Sequence, residues 1–298
     1  MILGLNLSFA VKRWLDPVLL AKMCREDFGV KHVQFTWDLI DPWWPDPQRA
    51  KLIASYKEAF EDAGVIIDST FGGLASYSYA HLLAPTLEQR QVAVIFFKRA
   101  IDLTAELGAP VMGTPVGGMD YQEARDAKMR KLRYNGMLET VRELASYGAD
   151  KGLKELQIEA VPISTEYPST PEEACQLIAD LGDTDIPVNL LIDWGHAVYK
   201  PLYGKDASMQ QWISECKSYL SAIHLQQTDG LFDRHWDFTT EGLVTPKAIR
   251  EVIVQEDIDH VPAYLEVVTA FESTDEEVYE GIKASMDLLN LELIDLIN

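Results

Sequence analysis

The sequence predicts a single (β/α)8 TIM barrel, eight parallel strands with helices between them, occupying residues 1–298 as one domain. Three observations predict it. Eight short β-like runs alternate with eight longer helix-like stretches, the order expected of repeated βαβ units. A chain of 298 residues, 47% apolar, suits one barrel with a sizeable core. Finally, four of the apolar runs carry an ionisable residue at or near the end, as strands buried on both faces do where they open into a site. The count of eight favours a closed barrel over an open doubly wound sheet.

Taken in order, the first strand, 2–7, precedes a helix at 17–27 announced by Asp16-Pro17. The second, 32–37, leads to a helix at 47–63, the third, 65–70, to one at 86–107, and the fourth, 110–114, to one at 122–150. The fifth, 155–159, ends in Glu159 and precedes a helix at 171–181 announced by Ser169-Thr170-Pro171. The sixth, 188–193, ends in Asp193-Trp-Gly-His196 and precedes a helix at 207–217. The seventh, 219–224, ends in His224 and precedes a helix at 245–255; the eighth, 263–268, carries Glu266 and precedes a helix at 275–290. The irregular stretch 228–245 reads as an active-site loop. The acidic last helix reads as a solvated face.

Composition removes several function classes. A net charge of −21 disfavours nucleic acid, whose affinity rests on Lys and Arg neutralising phosphates, though a single phosphate on a small substrate stays compatible. No apolar run reaches membrane-span length, and Lys12 and Arg13 interrupt the first one, so a cytoplasmic protein without membrane partners is expected. Cys24, Cys175 and Cys216 show no paired-thiol spacing and read as reduced residues. There is no Gly-rich phosphate loop after the first strand and no nucleophile elbow.

The chemistry then falls to the strand ends, if each lies at the carboxyl end of its strand, where barrels build their sites. Glu159, Asp193, His224 and Glu266 offer three carboxylates and one imidazole, a set suited to Mn²⁺, Mg²⁺, Co²⁺ or Zn²⁺. Any one of them alone reads as a helix cap or an ion-pair partner; four on consecutive strands, with His196 three residues after Asp193, read as a site for one divalent ion. Trp37, with Trp43 and Trp44, either walls a sugar site or packs the barrel rim. Lys12 and Arg13 either meet a phosphate or form a solvated pair.

These same residues give the chain a resemblance to the xylose-isomerase-like sugar isomerases and epimerases, and within them to the metal-dependent ketose 3-epimerases. More narrowly, Glu159-Ala-Val-Pro-Ile-Ser-Thr-Glu166 and Arg234-His235-Trp236-Asp-Phe238-Thr239 are similar to tetrulose-phosphate epimerases. The sequence departs from the pattern at Ala160, where proline is usual, and at Gly230, where free-ketose epimerases place a substrate-binding Arg; Arg234 and His235 read as its replacements. The resemblance implies a small sugar or sugar phosphate as partner, Mn²⁺ first among the metals, and room for a homo-oligomer. It implies that Glu159 and Glu266 are both metal ligands and the two acid–base groups, with His196, Gln226 and Arg234 as donors to substrate. The alternative is a metal-dependent decarboxylase of a 3-oxo sugar acid, which needs the same ion but no proton donor on each face. A sugar-binding barrel without activity fits poorly with four intact ligand positions. A nuclease fails on charge and on the extra histidines that a multinuclear zinc cluster requires.

Overall fold

Each strand pairs in parallel with its successor, and the last closes on the first through Leu3 opposite Ala263. The structure, a computed structural model describing residues 1–297, sets β1 at Leu3–Asn6, β2 at His32–Thr36, β3 at Ile66–Phe71 and β4 at Val111–Thr114. It sets β5 at Glu155–Ala160, β6 at Val188–Asp193, β7 at Leu220–Leu225 and β8 at Ala263–Leu265. This is the barrel expected from the sequence. The eighth strand is shorter than expected because Val268 donates its N–H to the His235 carbonyl (3.0 Å) in the preceding loop, drawing the chain off the ladder.

The helices around it are α1 (Pro17–Lys22, continued by a π turn to Asp27), α2 (Asp46–Ala63), α3 (Leu87–Leu107), α4 (Ala127–Asp150) and α5 (Pro171–Leu181). They continue as α6 (Trp194–Ala197), α7 (Lys200–Tyr203), α8 (Met209–Cys216), α9 (Pro246–Glu256) and α10 (Asp275–Glu292). Thr170 and Thr245 cap α5 and α9, each with proline in the first turn, and Thr274 with Glu277 forms a capping box on α10. The helix expected at 122–150 begins later, since Asp126 accepts from the Lys128 and Met129 N–H groups and splits off a short 3-10 turn. The short helix α6 was not anticipated. Its cap is Asp193, which accepts from the His196 N–H at 2.9 Å, so one side chain ends a strand and starts a helix.

Period-two alternation fixes what faces the barrel axis. Phe71, Leu191, Ala222 and Tyr264 form a small buried apolar plug inside the barrel. Asp193, His224 and Glu266 lie two residues beyond Leu191, Ala222 and Tyr264, so they point into the same space one layer nearer the carboxyl ends. The opposite strand faces pack Leu190, Ile192 and Ile223 into the shell between sheet and helices, where helix residues such as Phe97 of α3 are buried too. Each such side chain stabilises the fold by roughly 1.5–3 kcal/mol on burial. Among the described residues, no helix is long and apolar enough to cross a membrane.

Candidate metal centre

Asp193 and His224 are directly opposite in the β6–β7 register, and Glu159 and Glu266 come from β5 and from the residue after β8. One ligand atom from each of the four lies within 4.8 Å of the others, and all four residues are buried. Glu159 Oε1, Asp193 Oδ2, His224 Nδ1 and Glu266 Oε2 have no hydrogen-bond partner. His224 Nδ1 is 2.8 Å from Glu266 Oε2 but off the line that a hydrogen bond needs. Leaving a buried polar atom unpaired costs on the order of 1–3 kcal/mol, more for a charge, so four such atoms converging on one point fit a cation.

The other atom of each ligand is held by the protein. Tyr77 donates its hydroxyl to Glu159 Oε2, Asn6 donates to Glu266 Oε1 (3.0 Å), and Gln226 donates to Asp193 Oδ1 (2.8 Å). Gln34 gives its amide N–H to Ser69, so its Oε1 accepts from Asn6 and from His224 Nε2, both at 2.7 Å. That bond puts the neutral imidazole's proton on Nε2 and leaves the Nδ1 lone pair facing the carboxylates. The Phe71 ring packs edge-on against His224 at 4.7 Å. Gly195 is required beside this network, because a Cβ there would stand 2.4 Å from the Gln226 side chain.

Beside Glu266, a cavity of about 260 Å³ is lined by Ser8, Thr36, Gly72, Tyr77, Arg234 and Glu266 itself, among others. Asp233 and His235 line it too; His235 was expected from the sequence and Asp233 was not. Asp233 lies between two imidazoles, 3.1 Å from His196 Nε2 and 3.0 Å from His235 Nε2, and these three form a second group able to hold a metal. His196 and His235, both expected from the sequence to meet substrate, are thus joined through Asp233. The two groups differ in saturation: in the second, Asp233 contacts both of its neighbours and His235 Nδ1 alone lacks a partner, while every residue of the first leaves an atom unpaired.

The remaining expected residues divide. His196 donates through Nδ1 to the Ala160 carbonyl (3.1 Å), and Arg234 faces the cavity with Nε and Nη2 bonded to Asp229. Arg13 is drawn elsewhere: its guanidinium donates to the Ala270 and Ser273 carbonyls and to Asp275 at the start of α10. Trp37 is buried against Phe96 and Phe97, its indole N–H on Thr70, so of its two readings the structure shows packing. Tyr77, Asn6 and Gln34 enter as supports.

Electrostatics follow from burying this many charges together. Burial works against a charged His224, but Glu266 and Glu159 override it and push its pKa up to about 10. Burial likewise opposes charge on His235, and Asp233 followed by Glu266 pushes it up to about 10. Burial would raise Asp233, yet His235 and His196 hold it well below the carboxylate range. Glu166, on the loop after β5, is pushed up to about 7, first by burial and then by Glu159.

Comparison with known proteins relates the chain to one family. The family model for the xylose isomerase-like TIM barrel matches residues 25–289. A crystal structure from Rhodospirillum rubrum ATCC 11170, provisionally described as a xylose isomerase, is 45% identical with a TM-score of 0.95, covering 98% of this chain and 99% of that one. The D-erythrulose 1-phosphate 3-epimerase of Brucella abortus (strain 2308) is 23% identical over 261 residues, 85% of this chain and 83% of that protein. D-Psicose 3-epimerase from Clostridium cellulolyticum H10 shares the fold, with a TM-score of 0.72 at 16% identity over 98% of this chain and 99% of that one. The barrel, its matched span and the 45% identical relative together show that the chain belongs to the xylose isomerase-like TIM barrel family.

Proposed function

We propose that this protein is a divalent-metal-dependent sugar epimerase that inverts C3 of a short ketose or ketose phosphate, such as a tetrulose phosphate. The observation that carries the reading is the set of four converging, orphaned ligand atoms, one of them on Glu266, which also lines a cavity. The relative named as a D-erythrulose 1-phosphate 3-epimerase supports the substrate class. Three oxygens and one nitrogen suit Mn²⁺ or Mg²⁺ better than a nitrogen- and sulfur-seeking ion.

When bound by Glu159, Asp193, His224 and Glu266, the ion supplies Lewis-acid stabilisation of charge on a substrate carbonyl and the hydroxyl beside it. Inversion next to a carbonyl requires one group to take the proton and another to return one to the opposite face. Glu159 and Glu266 take these roles, each with one oxygen anchored, by Tyr77 and by Asn6. His196 and Gln226 orient the substrate hydroxyls beside Asp233 and His235. Arg234, its guanidinium over the Phe232 and Trp236 rings, receives the phosphate or terminal hydroxyl.

Purified protein is expected to bind one divalent ion per chain and to interconvert the two C3 epimers of a tetrulose phosphate, with chelation abolishing turnover while circular dichroism stays unchanged. Turnover that survives chelation contradicts the metal role. Release of carbon dioxide from a 3-oxo sugar acid, with no ketose epimerised, would replace epimerase by decarboxylase.

The pH dependence has a definite sign. A histidine raised on folding contributes stability that is full below its ordinary pKa and lost as pH rises through the folded value, so the metal-free protein loses the His224 contribution between about 6.5 and about 10. The proton on His224 would have to leave for an ion to bind there, so metal affinity climbs by up to about tenfold per pH unit below about pH 10 and levels off above it. Calorimetric titration at about pH 7.5 in buffers of different ionisation enthalpy should read a released proton; a buffer-independent heat would contradict the assignment.

A further inference from the structure

Cys175 and Cys216 are 41 residues apart in sequence and on different helices, yet their sulfurs approach to 3.1 Å where α5 packs against α8. Closing a disulfide bond of about 2.05 Å needs the two sulfurs to move together by only about 1 Å. Both thiols are free, Cys175 partly exposed and Cys216 buried behind it. Their other contacts are weak: the Cys175 thiol reaches the Glu215 carbonyl at 3.5 Å and the Cys216 thiol the Pro171 carbonyl at 3.6 Å. Neither residue touches the candidate metal centre, and the epimerase chemistry uses neither. From this arrangement we propose that Cys175 and Cys216 form a redox-active dithiol that a low-molecular-weight disulfide converts into an intramolecular cross-link between α5 and α8.

The exposure of the two thiols sets the order of events. The Cys175 thiolate, the one solvent can reach, attacks a sulfur of the external disulfide, forming a mixed disulfide and expelling one thiolate, which takes up a proton. Cys216 then loses its proton and attacks Cys175 Sγ, expelling the second external thiol. Two protein thiols are oxidised and one external disulfide is reduced to two thiols, so electrons and protons balance. Burial, and then the neighbouring Cys175, holds the Cys216 thiol well above the usual thiol range, which makes the second step the slower one and speeds it as pH rises. The third thiol, Cys24, is fully buried and burial pushes it up to about 12, so it stays reduced.

The full-length protein incubated with oxidised glutathione tests this. Denatured protein is expected to fall from three titratable thiols to one, intact mass to fall by two hydrogens, and a non-reduced peptide map to join the peptides of Cys175 and Cys216. Dithiothreitol should restore all three thiols. Cys175→Ser and Cys216→Ser should each prevent the two-hydrogen loss, and Cys24→Ser should not. A glutathione adduct on Cys175 that persists, a cross-link between two chains, or three thiols remaining after oxidation would each overturn the proposal.

Discussion

Glu266→Gln, assayed at saturating metal, is expected to lower epimerase turnover by about 10²- to 10⁴-fold, and Glu159→Gln by a similar factor, the range a positioned acid–base group contributes. The substitution keeps the side chain's size and one carbonyl oxygen. In Glu266→Gln that oxygen still accepts from Asn6, while the new NH₂ replaces the Oε2 that faces His224 and the cavity. The two variants should fail differently. Each retains the proton exchange served by the other glutamate, so each should wash hydrogen from one epimer of the substrate without inverting it. A loss of less than about tenfold in both would show that the protons travel through other groups.

The second large effect concerns the supports. Gln34→Leu keeps approximate volume but removes the acceptor that fixes His224 Nε2–H and Asn6, and it is expected to weaken metal binding by about 10- to 100-fold, the cost typical of losing a partner behind a ligand. Asp193→Asn and His224→Ala remove ligand atoms themselves and should lower occupancy further. His196→Ala should leave the ion in place and reduce turnover, because its ring is held by Ala160 and Asp233 and it is assigned to substrate. Metal analysis of the purified variants separates these cases; ion loss in His196→Ala would make His196 a ligand.

The barrel and the four converging residues were legible because their signals are local. An apolar run ending in Asp193 or His224 states both the strand and the exit from the core, and parallel register does the rest by setting Asp193 opposite His224. Asp233 carried no such signal: its role depends on a loop that doubles back through the Gln227–Trp236 pairing, which no short-range pattern encodes. Tyr77 reaches Glu159 from the loop after β3, across a span of 82 residues. Asn6 and Gln34 did leave a trace, as polar residues inside apolar runs, where burial obliges them to find partners. Arg13 was misleading for the same reason that Cys175 and Cys216 were silent. Which neighbour a side chain meets across the fold, Asp275 for Arg13 and one cysteine for the other, is decided by helix packing and not by sequence spacing.

The central claim is that this site removes the hydrogen from C3 of a ketose and returns one to the other face. Incubating the metal-loaded protein in D₂O with tetruloses, pentuloses and hexuloses, free and phosphorylated, tests it directly. For the true substrate, deuterium should appear at C3 in both epimers and nowhere else, and Glu266→Gln should stop the inversion. Label at C1 or C2 with an aldose appearing would make the protein an isomerase, and the absence of label at C3 in every ketose would contradict the account.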